Sequence, residues 1–127
     1  MINKWLILIA VLLTGCNASL PSFWDDNQSA AIINVRQSIN ELDCSNNYVP
    51  QIYIIKKQIE WFDLYSESKG SRQQDVRDLI SPMTETVEDF YIRSTSEKPG
   101  GTFYCNSKKQ ILQEQSSTAA KAIMRRF

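Results

Sequence analysis

Apolar side chains recur along this chain at intervals of three and four, the spacing of one helical face. Ile32, Val35, Ile39 and Leu42 mark a first helix that opens at Asp25-Asp26 and stops around Cys44. Two acids suit a helix N-terminus, where carboxylates meet unpaired N–H groups. No further ligand lies near them, so they read as capping charges rather than a metal site. Ser45-Asn46-Asn47 reads as a turn, and Pro50 falls in the first turn of a second helix. Ile52, Ile55, Ile59 and Phe62 repeat the spacing. The β-branched run at 52–55 would also suit a strand, but the helical period persists to the end of the segment. Tyr53, Ile54, Trp61 and Tyr65 widen its apolar surface, which predicts a helix that is central or lines a groove. Ser68-Lys69-Gly70-Ser71 ends it.

A third segment carries Val76, Leu79, Ile80, Met83, Val87, Phe90 and Tyr91. Pro82 interrupts it, removing one hydrogen bond and crowding the preceding turn. The apolar phase nevertheless runs on through Leu79, Met83 and Val87, which predicts one kinked helix rather than a new start capped by Ser81. Residues 94–101, STSEKPGG, form a loop. A last helix is expected from about Thr102 to about Arg125, with Ile111, Leu112, Ala119, Ala122 and Ile123 facing inward. Its alanines allow another helix to come close. The sequence therefore predicts an all-α fold, a small up-down-up-down four-helix bundle. That order places Cys44 and Cys105 at one end and residues 68–72 at the other.

The first residues change the picture. Lys4 precedes a nine-residue apolar core, Trp5 to Leu13, followed by the small pair Thr14-Gly15. This has the form of an export signal and is too short to cross a bilayer, which takes roughly 20 residues. Leu13-Thr14-Gly15-Cys16 resembles the bacterial lipobox, which implies cleavage between Gly15 and Cys16 and acylation of the Cys16 sulfur. The expected divisions are a signal peptide over residues 1–15, a lipidated start and linker over 16–22, and a helical periplasmic domain over 23–127. Asn17, in place of an aspartate after the cysteine, favours the outer membrane by the rule of that class, with the domain facing the periplasm. Phe23 and Trp24 are expected to staple the first helix onto the core, with a place among lipid headgroups as the alternative.

With Cys16 committed to lipid, Cys44 and Cys105 remain as an even pair in an oxidising compartment, and a disulfide follows. A structural metal is not expected, because the chain has no histidine and two thiols are too few. Acidic and basic side chains balance at 14 each. Loss of Lys4 with the signal leaves one more acid than base, which argues against a nucleic-acid partner. The only clustered positive charge is Lys121, Arg125 and Arg126, placed where cations favour the negative end of a helix dipole.

Catalytic residues are not expected either. Without histidine the usual general base is missing. Glu85, Glu88 and Asp89 stand close in sequence but fall on the solvated side of the third helix, which disfavours paired-carboxylate sugar cleavage. No cofactor motif is present. Binding remains: Tyr48, Tyr53, Trp61, Tyr65, Phe90, Tyr91, Phe103 and Tyr104 are more rings than a small core needs. Tyr53, Trp61, Tyr65 and Tyr91 are the candidates for a groove that accepts an amphipathic helix from an envelope protein. The opposing reading, that these rings only fill the core, stands beside it.

In layout the chain resembles the small pilotin lipoproteins of type II secretion systems. The stretches that carry the likeness are Leu42-Asp43-Cys44, then Pro50 and Trp61, then Tyr104-Cys105-Asn106-Ser107-Lys108. Glu60-Trp61 stands where that family often has Gly-Trp. The resemblance implies a protein that binds a short helix at the C-terminus of a secretin subunit and escorts it to the outer membrane. Alternatives of the same size are a phage- or plasmid-encoded lipoprotein, either an outer-membrane spanin subunit in lysis or a superinfection-exclusion factor, and a periplasmic enzyme inhibitor.

Overall fold

A computed structural model describes residues 25–126. The export signal, the lipobox with Gly15 and Cys16, and the Phe23-Trp24 pair lie outside the described residues. Within them the chain forms four α-helices and no strand. These are α1 (Asp26–Asn40), α2 (Val49–Ser68), α3 (Gln74–Ser94), preceded by a 3₁₀ turn (Ser71–Gln73), and α4 (Thr102–Met124).

Local chemistry sets most boundaries. Asp25 has extended backbone and accepts a hydrogen bond from the Gln28 amide, an N-cap. α1 ends at Asn40, several residues before the cysteine. Asp43 then organises the turn by accepting from the Ser45 amide at 3.0 Å. Pro50 sits in the first turn of α2. The reversal after α2 uses Gly70 at φ +104°, a conformation that favours glycine. Pro82 lies inside one continuous α3. Both Ser81 and Pro82 face water, so the carbonyl deprived of its donor is on the solvent side, and the helix survives the lost bond.

Every residue of the expected faces of α1 and α2 is buried: Ile32, Val35, Ile39 and Leu42, then Ile52, Ile55, Ile59 and Phe62. From α3 come Val76, Ile80, Met83, Val87 and Phe90. In α4 the buried set is Cys105, Leu112, Ser116, Ala119, Ala120 and Ile123. Ile111, expected to face inward, is instead 40% exposed. Adjacent positions lie about 100° apart on a helix, so burial of Leu112 in phase with Cys105 turns Ile111 outward.

Each helix packs on two others: α1 on α2 and α4, and α3 on α2 and α4. Cys44 and Cys105 form the disulfide, with Cα atoms 5.7 Å apart. Near it Tyr48 donates to the Gly100 carbonyl, and Lys109 donates to the Leu42 carbonyl at 2.8 Å. A second set of contacts joins the start of α1 to the end of α2. Gln28 Nε2 donates to Ser66 Oγ at 3.1 Å and to Gln73 Oε1 at 2.9 Å, all three residues being buried. Arg126 reaches Asp75 at 2.8 Å.

Candidate functional site

The α1–α2 contact leaves a groove of about 530 Å³. α2 supplies one wall through Tyr53, Ile54, Lys57, Gln58 and Trp61. α1 supplies the other through Asn27, Ala30, Ala31 and Asn34. The reason is geometric. Ala30 and Ala31 are too short to cover the larger side chains opposite, so the apolar wall of α2 stays open to water. Tyr53 is 46% exposed, Ile54 55%, Trp61 52% and Leu64 61%.

The four candidate residues separate into two in the groove and two beside it. Tyr53 and Trp61 line it, about 12 Å apart along the helix axis at 1.5 Å per residue. Tyr65 is half-buried and stacks on Trp61, with ring centroids 5.2 Å apart and planes 11° apart. Its hydroxyl donates to Asp25 Oδ2 at 3.1 Å and accepts from Asn27 Nδ2 at 3.0 Å. Tyr65 therefore fixes the indole plane. Tyr91, on α3, contacts Tyr53 at 6.0 Å between centroids. Tyr91 and Tyr65 act as supports, and Tyr53 and Trp61 as the surface.

The remaining rings answer the opposing reading. Phe90 is fully buried, and Tyr48 and Tyr104 pack against it at 5.8 and 5.6 Å. Phe90 belongs to the core, and Tyr48 and Tyr104, partly buried, pack against it. Phe103 is 87% exposed, beside the Arg93–Tyr104 contact at 4.0 Å. Burial raises the Tyr104 hydroxyl above its ordinary pKa, against the lowering effect of Arg93.

Lys57 is the one charged side chain among the described residues lining the groove. Its ammonium lies 5.5 Å from the Tyr53 ring centroid and 3.2 Å from Glu60. Glu60 also holds Lys56. The Lys56 hydrogen bond, with help from Lys57, outweighs burial and holds the Glu60 carboxyl below its usual value. The site is thus an apolar trough with a fixed cation along one wall. Its electrostatics suit recognition of a surface, and no nucleophile–base pair faces it.

Glu85, Glu88 and Asp89 are exposed on α3. Among the described residues no group of three acidic or cysteine side chains could hold a metal ion, and no helix is long and apolar enough to cross a membrane. The α1 wall and Leu64 were missed by reasoning from sequence. Leu64 had a signal, since it continues the three-and-four spacing of Ile54, Lys57 and Trp61. The alanines had none, because a small residue shows no sign of what it fails to cover. Against known protein families, curated proteins and solved structures, the chain has no match.

Proposed function

We propose that this protein is a lipid-anchored envelope protein that acts by binding, not catalysis, and that it holds an amphipathic helix of another envelope protein in the α1–α2 groove. The observation that carries the reading is the half-exposed Tyr53, Ile54 and Trp61 along one trough. An apolar trough flanked by two helices matches helix-in-groove recognition, in which anchors at helical spacing enter a hydrophobic cleft. Exposed aromatic rings are also the residue type that most often dominates binding energy.

The anchor rests on Leu13-Thr14-Gly15-Cys16. Cys16 carries the lipid, Asn17 directs the protein to the outer membrane, and the domain faces the periplasm. The helices alternate up-down-up-down, so α1 begins at the end away from the disulfide. Within this reading, pilotin-like escort of a secretin subunit is the specific activity.

The test is in-envelope crosslinking with a photoreactive residue replacing Trp61, followed by identification of what is captured. A secretin or another envelope protein crosslinked through a helical segment supports the reading. Capture of nothing above a control placed at Glu85 overturns it. Lipidation is tested separately by Cys16→Ser, which should leave an unprocessed precursor or a soluble product. Unchanged mass and unchanged membrane extraction would remove the anchor.

A further inference from the structure

α2 carries two seams. The inner one, Ile52, Ile55, Ile59, Phe62 and Ser66, steps by three and four and is sealed inside the bundle. The outer one, Ile54, Lys57, Trp61 and Leu64, steps by three, four and three along the opposite side. Each of its members is about half exposed. Such spacing is the pattern by which one helix meets another, and among the described residues no helix lies against it.

We propose that the outer seam of α2 pairs with the same seam of a second copy of this chain, antiparallel, about a two-fold axis that crosses the outer face at the level of residue 59. The sequence of the seam is self-complementary about that point. In an antiparallel pair, positions equally far from residue 59 face each other. Ile54 then meets the partner's Leu64, and Lys57 meets the partner's Trp61. The lysine stem packs on the indole while its charge lies over the ring face, a cation–π contact. The partner's Glu60 comes to the same place and adds an opposite charge. A parallel pair would instead set Lys57 against its own equivalent, which charge repulsion opposes.

Shape and area agree. Ala30 and Ala31 leave the α1 side of the trough open to a partner's side chains. Aromatic side chains bury about 150–250 Å² each when fully covered. The half-exposed Trp61 and the adjoining Tyr53, with two aliphatic side chains per copy, give somewhat less than the roughly 1,000 Å² of a stable interface, which suits a weak pair that a partner can displace. A formal net charge of zero for the whole sequence, one negative after loss of Lys4, sets little barrier to association.

This inference rests on the reading of the α1–α2 face as a helix-binding surface, but not on the lipid or on any foreign partner. Pairing and capture of a foreign helix use the same seam and exclude one another, so the paired state covers the trough until a partner displaces the copy.

The experiment uses the full chain in cells with Ile54→Cys and Leu64→Cys together, a short bismaleimide, and denaturing gels. The double variant should give a product of twice the chain mass. Each single variant should stay at the level of the unsubstituted chain, which also controls for Cys16. Adding Trp61→Lys, which sets like charges against the partner's Lys57, should cut the product about tenfold, with helical circular dichroism of the purified chain unchanged. Leu64→Lys beside Ile54→Cys is a second control and should give none. Absence of the doubled product, equal crosslinking by a single variant, or a product of another mass overturns the pairing. If foreign-helix capture through Trp61 survives that outcome, helix binding stands and self-pairing alone falls.

Discussion

The carboxylate of Asp25 caps α1 and also holds the ammonium of Lys69, just past the end of α2. One residue thereby fixes the start of one helix against the end of the next. Burial alone would raise its pKa. The hydrogen bonds from Lys69, the Gln28 amide and Tyr65 together outweigh burial and hold it below the ordinary carboxylate value.

That sign gives a pH dependence. A depressed folded pKa means that the unfolded chain binds the proton first as pH falls. The stabilisation is therefore complete above about pH 5 and lost as pH drops through the folded pKa. Asp25→Asn should cost about 1–2 kcal/mol at neutral pH, and the variant and the parent should converge in strong acid. Urea midpoints across pH 2–7 provide the measurement, and a constant gap over that range would exclude the titration.

The buried trio Gln28, Ser66 and Gln73 yields a second expectation. Gln28→Leu removes the shared donor and leaves a hydroxyl and a side-chain carbonyl under-satisfied, at about 1–3 kcal/mol. Changing all three to apolar residues of similar size should recover most of that loss. Chemical denaturation of the single and triple variants distinguishes this from a simple packing defect, for which the losses would accumulate.

Gly100 has no space for a side chain, because a Cβ there would fall inside the Tyr104 ring. Tyr104 cannot easily retreat, being held against Phe90 and under Arg93. Gly100→Ala should destabilise by about 1–3 kcal/mol. In a Tyr104→Ala background the same change should cost close to nothing, a coupling that a double-mutant cycle reads directly.

The disulfide joins the α1–α2 loop to the first turn of α4, with Cys105 fully buried and Cys44 nearly so. Removing a crosslink that spans 61 residues should cost roughly 4 kcal/mol in the chain-entropy account. Cys44→Ala/Cys105→Ala should lower the urea midpoint accordingly while keeping helical circular dichroism in native buffer. A loss below about 1 kcal/mol would mean that the unfolded chain is already compact.

Much of the fold is legible in the order of residues. The faces of α1, α2 and α3 follow from three-and-four spacing, Pro50 and Gly70 punctuate as expected, and the pairing of Cys44 with Cys105 follows from cysteine arithmetic. Gln28 was not legible: it lies one turn before Ile32 on the same face, but its polarity hid it. Burial became tolerable only because Ser66 and Gln73 come within hydrogen-bond reach from the other end of α2. Ile111 shows the converse. Both it and Leu112 are apolar, and Leu112 is the one that points inward because it lies in phase with the buried Cys105, Ser116, Ala119 and Ile123.

By itself, then, the sequence determined the helices and which side of each is apolar, because period and capping are local properties of the backbone. The export signal and lipobox reading also belongs wholly to the sequence. Tertiary structure alone decided which apolar residues stay uncovered. Tyr53, Ile54 and Trp61 stand off the core face of α2 in sequence, but their spacing leaves open whether a neighbour covers them. Those three remain at the surface because α1 offers Ala30 and Ala31 along the same groove, and whether a side chain is buried depends on the volume its neighbours bring, which no single helix encodes.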